Sequence, residues 1–146
     1  MMDDWTPADF RACREGIGLT QIDIADECHV RVLQVKRWEK GEAAIPMDAW
    51  ETLSDWMDRF DAAVETSIAV AQTRAAVHGE IGTVELTYYR TQADYDEHGR
   101  DKGPFGFVNA VTRKVADELE AMGADIRFVY PEDRMAALDE TMDKEG

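Results

Sequence analysis

The sequence predicts a mainly α-helical protein with a small α+β part in its second half. Three observations predict it. Threonine, proline and glycine residues divide the first fifty positions into helix-length segments. Apolar residues then recur in steps of three and four over residues 50–75. Beyond residue 80, two short runs of strand formers flank one more amphipathic stretch.

Thr6-Pro7-Ala8-Asp9 reads as a helix start. Thr6 can cap, Pro7 suits the first helical position, and Asp9 sits at the positive end of the helix dipole. This helix runs to about Glu15 and stops at Gly16-Ile17-Gly18. Thr20 opens a second helix, with Asp23 three residues on as a shorter version of a capping-box glutamate. Ile24 and Ala25 lie on its inner face, and it ends near Cys28-His29. A third helix covers residues 32–40 and stops at Gly41, and Pro46 opens a fourth. From Trp50 the apolar series continues through Leu53, Met57, Phe60, Val64, Ile68, Ala71 and Ala75, marking a long helix that ends by His78-Gly79. Its seam serves either self-association, as in a coiled coil, or packing on its own domain.

Residues 83–89, TVELTYY, read as a strand. A polar turn region containing Gly99 and Gly103-Pro104 follows. Residues 105–122 form an amphipathic helix ended by Gly123, and residues 126–130 a second strand stopped by Pro131. Two strands alone make a marginal sheet, which a second copy of the chain would complete. The tail, 132–146, reads as one more helical turn or a frayed end. The divisions are therefore 1–60, a connecting helix over 61–80, a strand-helix-strand module over 81–131, and the tail.

At 146 residues, 45% hydrophobic and 32% charged, the chain can bury a core of one or two small domains. No apolar run is long enough to span a membrane, and the acidic start, MMDDWTPADF, lacks a signal core. Cys13 and Cys28 have neither CxxC spacing nor a histidine pattern, which suggests small apolar residues in a reducing cytoplasm. His29, His78 and His98 are scattered, and no nucleophile motif or phosphate-binding glycine loop is present, so no enzyme and no cofactor is implied. The run Asp94-Tyr95-Asp96-Glu97-His98-Gly99 begins like a calcium loop, but Phe105 stands where that loop needs its twelfth-position glutamate. A solvated turn accounts for these acids.

The net charge is −15. Nucleic-acid binders usually carry a basic footprint. Charge acts locally, however, because the screening length at physiological salt is only ~8 Å. Residues 29–38, HVRVLQVKRW, contain Arg31, Lys36 and Arg37 and no acid, with Lys40 close behind.

The segment Leu19-Thr20-Gln21 … Ile24-Ala25 … Val30 … Val35-Lys36-Arg37-Trp38-Glu39-Lys40-Gly41 … Ile45-Pro46 resembles the helix-turn-helix domain of the XRE/Cro-repressor superfamily over residues 7–56. More narrowly, WEKG with Ile45-Pro46, a long helix, and then Leu86-Thr87-Tyr88-Tyr89 … Asp94-Tyr95 resemble the YdiL-like regulators and the autorepressors encoded beside anti-CRISPR genes. The resemblance implies an N-terminal helix-turn-helix bundle, a C-terminal dimerisation domain, and a homodimer that represses transcription from an inverted repeat in double-stranded DNA. In such a fold Ala25 is small where two helices cross, Val30 and Val35 anchor the third helix, and Trp38 fills the base of the domain.

The exposed positions of that recognition helix are then Arg31, Val32, Leu33, Gln34, Lys36 and Arg37. Arg37 is the best base reader, because a guanidinium can grip guanine O6 and N7 together. Val32 and Leu33 stand where the family usually has polar base-contacting residues, and they suit thymine methyl groups instead. Arg31 replaces a common Ser or Thr cap and reaches a base or a phosphate. Gln21 matches the phosphate-clamping glutamine of the family. Lys36 and Lys40 suit phosphates, which position the domain without specifying sequence, and for Lys40 a plain solvated surface charge fits equally well. Arg14 and Glu39 match an internal ion pair of this domain.

A second reading makes the chain an antitoxin, binding a toxin through an acidic second half with 18 acids against 9 bases from Asp61 onward. A third, in which the ligand is a small molecule or RNA, finds no apolar pocket or stacking aromatic series in the sequence.

Overall fold

A computed structural model describes residues 4–134. The first helix, α1 (Pro7–Gly16), and the second, α2 (Gln21–Cys28), each begin with a complete capping box, formed by Thr6 with Asp9 and by Thr20 with Asp23. The shorter aspartate therefore does close the box. The turn between them needs Gly18, whose φ of +76 lies in the left-handed region. The third helix, α3 (Val32–Lys40), ends at Gly41, also left-handed. The helix opened by Pro46 and the long amphipathic helix are one continuous element, α4 (Met47–His78), 32 residues long.

The second half contains β1 (Thr83–Thr87), α5 (Gln92–His98), α6 (Phe105–Ala121) and β2 (Asp125–Val129). Helix α5 corrects the polar turn expected there. Thr91 Oγ1 accepts from the Asp94 backbone N–H at 3.1 Å, and Tyr95 is buried edge-on against Tyr89. A cap and one buried aromatic thus stabilise a helix too short to display periodicity. The two strands pair with each other in parallel, Thr83 opposite Asp125 through Thr87 opposite Val129. A parallel pair needs a crossover, and here α5 and α6 supply it. Residues 131–134 are helical, and the expectation for the rest of the tail falls on 135–146, outside the described residues.

Two apolar cores lie along α4. The first joins Phe10, Leu19, Ile24, Ala25, Val35 and Trp38 to Ala49, Trp50, Leu53 and Trp56. Phe10 stacks edge-on against both Trp38 and Trp50. The second joins Val64 and Ile68 of α4 to Val115 and Leu119 of α6, with Val84, Leu86 and Ile126 of the sheet packed onto them. Phe60 borders both cores. The α4 seam therefore packs on its own chain as far as Ala71. Val70 and Val77 lie off the seam, 50% and 75% exposed.

The halves also meet away from α4. Phe107 stacks edge-on against Trp56 at 5.0 Å. The Gly18 and Gly106 backbones touch, so closely that a Cβ on Gly106 would stand 2.5 Å from the Gly18 carbonyl oxygen. Cys13 and Cys28 are unpaired and half-buried, and burial pushes both thiols up from their ordinary pKa. No helix among the described residues is long and apolar enough to cross a membrane.

Candidate nucleic-acid interface

Helices α2 and α3 are joined through residues 29–31. His29 ends α2 in the left-handed region, φ 56, and the Val30 N–H donates back to the Ala25 carbonyl at 3.0 Å. That bond, of the kind that closes a Schellman turn, sets the angle at which the chain re-enters helix. Ala25, 3% exposed, leaves the room this packing requires, and Val30 packs partly buried on the core.

Helix α3 is fixed from one side. Val35 and Trp38 are buried at 0% and 2% exposure, and Gly41 and Glu42 N–H groups bond back to Trp38 and Arg37 carbonyls. An ion pair holds its far end. Arg14 Nε and Nη2 donate to Glu39 Oε2 and Oε1 at 2.7 and 2.9 Å, while Nη1 donates to the Leu19 carbonyl at 2.9 Å. Both side chains are almost fully buried, 9% and 2% exposed. The pair expected within the domain is thus present, and it ties α1, the turn before α2 and the last turn of α3 together.

With that side spent, the remaining positions fall into two groups. Leu33, Lys36, Arg37 and Lys40 lie one helical turn apart and are all exposed, forming a stripe along the outer face of α3. Arg31, also exposed, is the N-cap residue, and its side chain makes no capping bond. The first-turn N–H groups of α3 are therefore left without a side-chain cap. Gln34 is half-buried beside the stripe, and Val32 is half-buried against the first core, so less of it faces outward than of Leu33.

Gln21 lies apart from the stripe. Its Nε2 donates to Glu39 Oε1 at 3.1 Å, giving the buried carboxylate a further hydrogen bond. The sequence points Gln21 at a phosphate outside the protein, whereas its amide nitrogen turns inward onto Glu39. No local signal marks this contact, because Glu39 lies 18 residues away on another helix.

The local electrostatics follow from the same contacts. Glu39 is the one acid of α3, and Arg14 neutralises it internally. The acids of α2, Asp23, Asp26 and Glu27, line a depression of about 250 Å³ with Trp56, Gln92 and Pro104. They face the second half of the chain, and the α3 stripe carries three cations and no acid.

No protein-family model matches the chain, and no curated protein matches it.

Proposed function

We propose that the chain is a sequence-specific DNA-binding regulator whose α2 and α3 act as a helix-turn-helix, α3 entering the major groove. One observation carries this reading. The stripe Leu33, Lys36, Arg37 and Lys40 stands exposed on a helix whose opposite face is locked by Val35, Trp38 and the buried Arg14–Glu39 pair. A rigid helix presenting cations and one apolar side chain suits a groove lined by phosphates and base edges. The net charge of −15 then acts against non-specific binding, while the α3 stripe itself carries no acid.

Roles follow from position. Arg37 reads a base edge, and Leu33 packs on a thymine methyl group. Arg31 and the uncapped first turn of α3 meet a phosphate, which helix N-termini favour. Lys36 and Lys40 flank the groove on phosphates. Gln21, turned onto Glu39, supports the reader helix from behind while its amide oxygen stays available. Two copies bind an inverted repeat with half-sites ~34 Å apart, one turn of duplex. The outcome of binding is repression, in line with the resemblance of residues 7–56 to repressor domains.

The roles separate by salt. Arg37→Ala is expected to cost ~1–3 kcal/mol at one base position and to relax specificity there, while Lys40→Ala weakens all sequences alike and lowers the salt slope by ~1. Fluorescence anisotropy on cognate and scrambled duplexes at several salt concentrations checks both. If neither variant changes affinity or slope, α3 is not the element that touches DNA.

A further inference from the structure

We infer that the chain binds a mononucleotide, an aromatic ring carrying one phosphate, in a cleft at the carboxyl ends of β1 and β2. This site does not depend on what α3 contacts. Tyr88 and Tyr89 follow directly on β1, and Tyr130 follows directly on β2. The chain leaving the carboxyl ends of these two parallel strands borders a crevice. Here the crevice consists of two adjoining cavities, of about 350 and about 510 Å³, that share Tyr88, Arg113 and Tyr130 as walls. Those volumes lie in the range of small-molecule sites, ~300–1,000 Å³.

The first cavity is walled mainly by rings. Tyr88 and Phe128 meet edge-on at 5.7 Å, and Phe128 and Tyr130 remain 51% and 40% exposed. The side chains of Val84, Leu86 and Ile126, on the same face of the sheet, are covered by the second core, whereas Tyr88, Phe128 and Tyr130 extend past it. Partly exposed aromatic rings set side by side suit a planar base, because stacking tolerates any base with a π-face.

The charge comes from Arg113. Its Nη1 donates to the Tyr88 hydroxyl at 2.6 Å, and it forms no ion pair among the described residues. A guanidinium held in place by a neutral partner keeps donors free for a phosphate, which it can take in bidentate fashion. Arg90 has a different role. It lies over the Tyr130 ring at 3.7 Å and is paired with Glu132, so its charge is already balanced and it holds that ring in position.

The walls are also pre-set. Asn109, 4% exposed, accepts from the Tyr89 N–H at 3.0 Å and donates to the Tyr89 carbonyl at 2.8 Å. A buried amide that clamps both backbone groups of one residue fixes the turn that carries Tyr88. Gly18 lines the second cavity, so an occupant there touches the turn that leads into α2.

The full chain is titrated calorimetrically with the four ribonucleoside monophosphates, adenosine and inorganic phosphate, and Arg113→Gln is titrated in parallel. At least one monophosphate is expected to bind ~10-fold or more tightly than either adenosine or phosphate, a gain of ~1.4 kcal/mol. Arg113→Gln, exposed and outside both cores, is expected to melt like the parent and to lose that advantage. Three results overturn the proposal: no monophosphate binds better than phosphate, Arg113→Gln binds as the parent does, or a hexanucleotide binds ~100-fold more tightly than any monophosphate. The last would make the cleft a platform for a nucleic-acid strand.

Discussion

Glu39→Ala is expected to destabilise the chain by ~3–5 kcal/mol, the usual cost of leaving one partner of a buried ion pair uncompensated. Arg14 then keeps a guanidinium only 9% exposed with the Leu19 carbonyl as its sole remaining partner. Gln21 also loses its acceptor. The size of the effect rests on burial, because the same pair on the surface would contribute about 0–1 kcal/mol. Arg14→Met with Glu39→Leu removes both charges together and is expected to recover most of the loss, since apolar residues of similar volume often replace a buried pair without penalty. Urea unfolding of the parent, the single variant and the pair checks this. A loss under ~1 kcal/mol for Glu39→Ala would mean that water reaches the pair.

The second large effect belongs to the glycine contact between the halves. Gly106 lies inside α6, where alanine normally gains up to ~1 kcal/mol of helix propensity. At this position the new Cβ would meet the Gly18 carbonyl oxygen at 2.5 Å, and both neighbours are backbone that no rotamer change can move. Overpacking of that kind costs ~1–3 kcal/mol, so Gly106→Ala is expected to be net destabilising. Gly18→Ala is expected to be worse, adding ~1–2 kcal/mol for an L-residue at φ +76. Gly16→Ala is the control, because nothing lies within 4 Å of its would-be Cβ. There the reduced freedom of the unfolded chain is expected to raise stability by ~0.4–1 kcal/mol. Melting temperatures of the three variants decide the matter. If Gly106→Ala stabilises as Gly16→Ala does, the two backbones do not meet.

The first half was the more legible in sequence, for a physical reason. Its elements are set by local signals: two capping boxes at Thr6 and Thr20, the glycine at position 41, and the spacing that buries Val35 and Trp38. Once those two residues are inside, the 3.6-residue period alone places Leu33, Lys36, Arg37 and Lys40 outside. The same period puts Val32 nearer the core than its neighbour, which reduces what it can offer a ligand. Gln21 was harder to read, because a half-buried amide at a helix start can turn either way and Glu39 lies on another element.

The second half depends on contacts between distant segments. Helix α5 has a cap and one buried tyrosine but too few residues for a pattern, and the glycines after it resemble a turn. Nothing local in residues 83–87 or 125–129 specifies that the two strands pair in parallel. Tyr88, Phe128 and Tyr130 come from both strand ends, and Arg113 from the helix between them, so no aromatic series exists along the chain. Gly18 and Gly106 sit in no shared motif. Only packing brings them together.

The proposed reading of duplex DNA sequence runs through α3. It is tested most directly by selecting bound duplexes from a random pool with the purified full chain at two salt concentrations and sequencing them. Enrichment of one two-fold symmetric site, its half-sites ~34 Å apart, that persists at the higher salt is expected. A folded protein that enriches no sequence at either salt concentration would contradict it.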